Sequence, residues 1–255
     1  MTQQRVPQVG LFATCLMNVF RPNIGFSAVA LLERAGCKVF VPAAQTCCGQ
    51  PAWSAGTDDT ARALAKQVIE QFEGFDYVVA PSGSCIGTLH KYPEMFADDA
   101  DWAPRARALA DKSHELLLFL ADVLRVDVTA TYAGRASYHD SCSGLRELGV
   151  KQQPRALLSQ VKGLSLLEMD DAEVCCGFGG SFCMKYPAIS EKMVDDKIRS
   201  LTATGADTLL GGDLGCLMNI AGRLKRQGSR IRVLHTAEVL AGRADGPAIG
   251  DEGPR

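Results

Sequence analysis

The sequence predicts an α/β protein made of two pseudo-symmetric βαβ-type cysteine-rich halves with mainly parallel sheets. Three observations carry this reading. Short apolar runs alternate with amphipathic stretches, the order that implies parallel strands joined by helical crossovers. A pattern of four cysteines occurs twice, as Cys15, Cys47-Cys48, Cys85 and as Cys142, Cys175-Cys176, Cys216. The offsets between equivalent cysteines are similar: 127 from Cys15 to Cys142, 128 from Cys47 to Cys175 and 131 from Cys85 to Cys216. Such self-similarity marks an internal duplication. The halves are expected at residues 1–127 and 128–243. Residues 244–255, rich in Gly, Pro and Asp, are expected to form a disordered tail.

In the first half, residues 8–14 read as a buried strand ending at Cys15. Phe26, Val29, Ala30 and Leu31 fall at helical spacing within 25–35, and Gly36 stops that helix. Residues 38–42 form a second strand, followed by the Cys47-Cys48-Gly49 turn. Asp58, Asp59 and Thr60 are helix-start residues for a helix reaching about Phe72, which Gly74 ends. A third strand, 75–80, leads to Cys85 and a helix to Lys91. After a polar connection, 113–124 reads as another helix.

The second half repeats the order. Strand 135–139 ends near Cys142, and helix 154–161 follows. Strand 164–169 precedes the second cysteine pair. Helix 190–202 carries Met193, Val194 and Ile198 on one side, next to Ile189. Strand 206–210, helix 217–227, strand 231–234 and helix 236–241 complete the chain.

Every cysteine of each set lies just after a strand. In parallel sheets, ligands gather at the C-terminal edge, so the three loops of each half are expected to converge there. Adjacent residues on a strand point to opposite faces. Two neighbouring cysteines can share a ligand only if the backbone turns sharply, and Gly49 and Gly177 supply that freedom. Thiolate sets suit zinc or iron–sulfur clusters. Structural zinc sites usually use paired C-x-x-C knuckles, and neither set has one. Four cysteines are the usual ligand count of a [4Fe–4S] cluster. The residues therefore point to two such clusters, with zinc open in one half and a thiol–disulfide role without metal as the third reading.

Several stretches resemble a known family. They are Gln45-Thr46-Cys47-Cys48-Gly49-Gln50-Pro51, Pro81-Ser82-Gly83-Ser84-Cys85, Tyr138-His139-Asp140-Ser141-Cys142, Cys175-Cys176-Gly177-Phe178-Gly179-Gly180 and Gly215-Cys216-Leu217-Met218-Asn219-Ile220. Together they resemble the duplicated cysteine-rich CCG family over roughly residues 9–242. That family includes the cysteine-rich component of heterodisulfide reductase and the iron–sulfur subunits of glycolate oxidase and anaerobic glycerol-3-phosphate dehydrogenase. The resemblance is nearest to its stand-alone lactate-utilisation branch. It implies an iron–sulfur electron-transfer subunit for oxidation of a 2-hydroxy acid, L-lactate to pyruvate. It also implies partner subunits, one of them a ferredoxin-type iron–sulfur protein, and an oxidoreductase component inactive alone. The broader family pattern closes each set with C-x-x-C. Ser82 and Asp213 stand at the first position of that pair here, which fits four-thiolate clusters rather than the five-thiolate cluster of heterodisulfide chemistry. A zinc-stabilised scaffold of the same fold is the alternative from a different functional class.

Composition narrows the rest. The chain is 47% hydrophobic and 22% charged with a formal charge of -2, which gives no reason to expect nucleic acid or a membrane surface as partner. The N-terminal residues lack the apolar core of a signal peptide, and the longest apolar run, 116–121, cannot span a bilayer. A cytoplasmic location is therefore expected, where cysteines more often bind metal than form disulfides. Cys37 and Cys183 read as packed cysteines. His139 stands equally as a satisfied strand-end histidine or as a group behind the thiolates, and His90, His114 and His235 read as non-ligands. Lys185 and Tyr186 read as a solvated lysine beside a core aromatic. A partner is expected to dock near Ser82-Gly83-Ser84 and Gly212-Asp213-Leu214.

Overall fold

The computed structural model describes residues 5–251. Strands β1 (Gln8–Leu11), β2 (Lys38–Phe40), β3 (Tyr77–Ala80) and β4 (Ser113–Glu115) form one sheet in the order β2-β1-β3-β4. Strands β5 (Thr131–His139), β6 (Lys162–Leu166), β7 (Thr208–Gly211) and β8 (Arg232–His235) form the second, in the order β6-β5-β7-β8. All pairings are parallel, and the second sheet repeats the first strand for strand. Val78, Val79, Leu209 and Leu210 are fully buried, as expected of central parallel strands covered by helices on both faces.

The halves share one core. Val9, Leu11 and Val79 from the first sheet pack in the same cluster as Ala136, Tyr138, Leu210 and Leu234 from the second. Two further clusters flank it, one centred on each half. A buried ion pair also joins the halves, Arg21 Nε to Glu238 Oε1 at 2.9 Å.

Three expectations need correction. The helix expected over 113–124 is strand β4 followed by a short helical turn, Leu116–Leu118, and a π-helical turn, Phe119–Val123. Its leucines look helical in isolation, but β3 takes residues 113–115 into the sheet. Glu115 then ends the strand by accepting the N–H groups of Leu117 and Leu118 at 2.8 and 3.0 Å. The polar connection before it contains a helix, Trp102–Asp111.

The third correction concerns the tail. Ala248 and Ile249 are buried, and Ile249 N–H donates to the Val233 carbonyl at 2.8 Å. Arg21, Arg232 and Lys225 donate to the carbonyls of Pro247, Ala244 and Gly250. Residues 244–251 are therefore packed, and 252–255 lie outside the described residues.

Candidate metal centre

The four cysteines that complete the two sets sit in the first turn of a helix rather than in a loop. Cys15 opens helix Cys15–Phe20, and Cys142 opens helix Cys142–Leu148, which periodicity alone does not reveal. Cys85 and Cys216 are each the third residue of helices Gly83–His90 and Leu214–Arg226. Each helix starts with a side-chain cap: Thr14 on Met17 N–H, Ser82 on Cys85 N–H, Ser141 on Gly144 N–H and Asp213 on Gly215 N–H. Helix N-termini carry partial positive charge and favour thiolate over thiol.

The vicinal pairs turn as their glycines allow. Gly49 and Gly177 have φ of 85° and 83°, a region open to glycine and strained for other residues. At Gly177 a Cβ would also lie 2.7 Å from the Ser190 carbonyl oxygen. The carbonyls of the second cysteines are held from neighbouring helices. Tyr92 Oη donates to Cys48 O at 2.8 Å, and Asn219 Nδ2 donates to Cys176 O at 2.9 Å. Gln45 Oε1 accepts from Ala13 N–H at 2.7 Å, tying the first cysteine loop to the end of β1.

Eight thiols thus meet in two sets of four. Cys15 Sγ lies 3.9 Å from Cys47 Sγ, and Cys48 is in bonding reach of both Cys47 and Cys85. The second set repeats the chain: Cys142 reaches Cys175, and Cys176 reaches both Cys175 and Cys216. Sharing protons splits the groups. The Cys47 thiol is pulled down by hydrogen bonds from Cys15 and Cys48, while Cys15 is pushed up by the same contact with Cys47. Cys48 is also pushed up, chiefly by its bonds to Cys47 and Cys85. Four thiolates crowded together need a cation to balance them, so the donor set fits a metal or an iron–sulfur group in each half.

The sets differ in access. Cys15 is exposed, whereas Cys142 and Cys175 are half-buried and Cys176 and Cys216 are buried. A cavity of about 220 Å³ lies against the first set, with Phe178 and Met184 of the other half across it. The cavity at Cys142 and Cys216 is about 60 Å³. Gln50, Ser84, Phe178, Gly180 and Asp213 line both, so one wall separates the two sets.

Glycines permit that closeness. A Cβ on Gly83 would lie 2.8 Å from Gly144 Cα, so the helices bearing Cys85 and Cys142 cross almost backbone to backbone. A Cβ on Gly215 would lie 2.5 Å from the Phe178 ring.

Ser82 and Asp213 have a role that the sequence did not reveal. Each caps its own helix, and they also meet: Ser82 Oγ and Ser84 N–H both donate to Asp213 Oδ2, at 3.2 and 3.0 Å. Ser82, Asp213 and Leu214 are 5%, 6% and 3% exposed. These turns therefore form the wall between the halves, with Ser84 half-buried beside the cavity at the first set. Asp213→Ala should cost about 1–2 kcal/mol, the worth of a good cap, and Asp213→Asn should retain most of it. Thermal melting of the metal-free chain checks both.

The remaining candidates separate cleanly. Cys37 is buried in the shared core, and burial pushes its thiol up. Cys183 donates to the Gly180 carbonyl at 3.4 Å, outside both thiol sets. Lys185 is exposed, and Tyr186 is exposed rather than a core aromatic. His90 Nε2 meets the Ser113 carbonyl at 2.9 Å, and His114 stacks on Phe119. His235 donates through Nε2 to Pro81 O and accepts Ala237 N–H at Nδ1, and burial draws it down to about 4. His139 is 1% exposed at the end of β5, with a ring nitrogen within 4.8 Å of the Cys176 and Cys216 sulfurs.

The profile of the CCG cysteine-rich domain matches residues 9–90 and again 136–221. The chain belongs to the CCG cysteine-rich domain family. Each matched stretch contains one complete thiol set. Among curated relatives, lactate utilization protein A of Bacillus cytotoxicus is 50% identical over 93% of this chain and 100% of its own length. The protein of that name from a Geobacillus species is 53% identical over 92% of this chain and 100% of its own length. A solved structure of a hypothetical protein from Helicobacter pylori superposes with a TM-score of 0.68 at 11% identity, over 95% of this chain and 50% of that one. This last likeness concerns the fold alone. Among the described residues, no helix is long and apolar enough to cross a membrane.

Proposed function

We propose that the chain is an iron–sulfur electron-transfer subunit in the oxidation of L-lactate, holding one [4Fe–4S] cluster in each half. The observation that carries this is the convergence of two equivalent four-thiol sets, each capped onto a helix start, in a chain about half identical to proteins named for lactate utilization. Cys15, Cys47, Cys48 and Cys85 would hold the first group, and Cys142, Cys175, Cys176 and Cys216 the second. When bound, such a cluster supplies one-electron exchange. The residues around it fix the thiolates, exclude water from their buried side and separate the two groups by the Ser82–Asp213 wall. The first set reaches the surface at Cys15, which suits exchange with a partner, such as a subunit carrying ferredoxin-type clusters.

Zinc in the second half is the reading that His139 favours, since its ring nitrogen and the Cys176 and Cys216 sulfurs lie within 4.8 Å of one another. Metal analysis after anaerobic purification separates the two.

Hydride-type chemistry on a hydroxy acid is normally done by flavin or nicotinamide. The isolated, cluster-loaded chain should therefore reduce no dye with L-lactate, and activity should appear when its partner subunits are added. Robust turnover by the chain alone would contradict this reading.

A further inference from the structure

His139 is the group that the thiol sets leave unexplained. Of three buried side-chain atoms without a partner at hydrogen-bond distance among the described residues, two are its ring nitrogens; the Ala172 backbone is the one hydrogen-bonding group close enough to act on the ring, and it falls short of that distance. An unsatisfied buried polar group costs about 1–3 kcal/mol, so two on one ring call for an explanation. The backbone around it is fixed. His139 pairs with Gly211 in the sheet, and Asp140 N–H donates to Ala172 O at 3.1 Å. Arg155 grips both Asp140 carboxylate oxygens at 2.9 Å. The nearby cation, Lys197, already donates to the carbonyls of Asp171 and Ala172.

The first half has no counterpart. The offset of 127 that relates Cys15 to Cys142 places Phe12 opposite His139, and Phe12 packs 5.5 Å from the Phe72 ring. The ring is buried, and one of its nitrogens lies within 4.8 Å of the Cys176 and Cys216 sulfurs.

We infer that His139 donates its ring N–H to a sulfur atom of the group held by Cys142, Cys175, Cys176 and Cys216. This donor, absent from the first half, raises the potential of the second cluster above the value it would have without it. The inference rests on the two-cluster reading above. A donor to cluster sulfur stabilises the more negative, reduced state and raises the potential. The two groups, if bound, would then differ in potential partly through this one side chain.

The test is an EPR-monitored redox titration of the full chain, reconstituted anaerobically, with iron analysis on each sample. His139→Phe copies the first half. It should retain its iron and lower one of the two potentials, changing the electron's partition between clusters about tenfold, which is about 59 mV for a one-electron couple. Phe12→His should raise the other. Unmoved potentials in an iron-replete His139→Phe chain overturn the inference. If that variant loses its second cluster, Phe12→His decides: a raised first potential supports the donor role and an unmoved one overturns it. A wild-type chain that takes up no iron would instead sink the two-cluster reading.

Discussion

Cys176→Ser should remove about half of the iron bound by the reconstituted chain and leave the rest in place. Cys176 is 1% exposed and sits between Cys175 and Cys216, so its loss breaks the second set at its centre. A serine oxygen there is a shorter and harder donor that suits iron–sulfur chemistry poorly. The first set keeps every contact it has, because Cys15, Cys47, Cys48 and Cys85 reach one another without help from the second. Cys48→Ser should give the mirror-image result. Cys37→Ser is the control. It buries a hydroxyl in the shared core, costing about 1–3 kcal/mol, and should leave iron unchanged. Iron and acid-labile sulfide assays on the three variants decide the matter. Equal iron loss in Cys37→Ser and Cys176→Ser would contradict the assignment.

Arg21→Met should be the most destabilising change away from the cysteines. The Arg21 and Glu238 side chains are 5% and 1% exposed. Besides the ion pair, Arg21 Nη2 donates to the Pro247 carbonyl at 2.7 Å. Glu238 is also committed elsewhere, since its Oε2 accepts the His235 N–H at 3.1 Å. Removing the arginine therefore takes the ion-pair partner seen at 2.9 Å away from a buried carboxylate between the halves. Breaking a buried pair from one side costs about 3–5 kcal/mol, whereas replacing both partners with apolar groups is often nearly neutral. Arg21→Met combined with Glu238→Leu should accordingly recover part of the loss, less the cap on His235. Urea unfolding of the three chains measures this. A single variant as stable as wild type would show that the pair does not hold the halves together.

Much of this architecture was legible in the chain. The cysteine offsets and the strand-then-cysteine order pointed to the duplication, the parallel sheets and the meeting of eight thiols at two places. Gly49 and Gly177 announced the sharp turns. What escaped was whatever depends on partners distant in sequence. Residues 113–115 are a strand only because β3 has an open edge, and no β-branched residue marks them. The tail looks disordered by composition, but its carbonyls meet Arg21, Arg232 and Lys225, which lie far off along the chain. Ser82 and Asp213 read locally as missing cysteines. Only the fold brings them together as two caps that bond each other. His139 could be suspected from its place before Cys142, yet its lack of a side-chain partner at hydrogen-bond distance is a property of the folded interior.

The most direct measurement is the metal content of the wild-type chain after anaerobic reconstitution. Two four-thiolate clusters would give about eight irons with matching sulfide and no zinc. A plateau at about four irons with one zinc, or stoichiometric zinc in a colourless protein, would contradict the central claim that both thiol sets carry electrons.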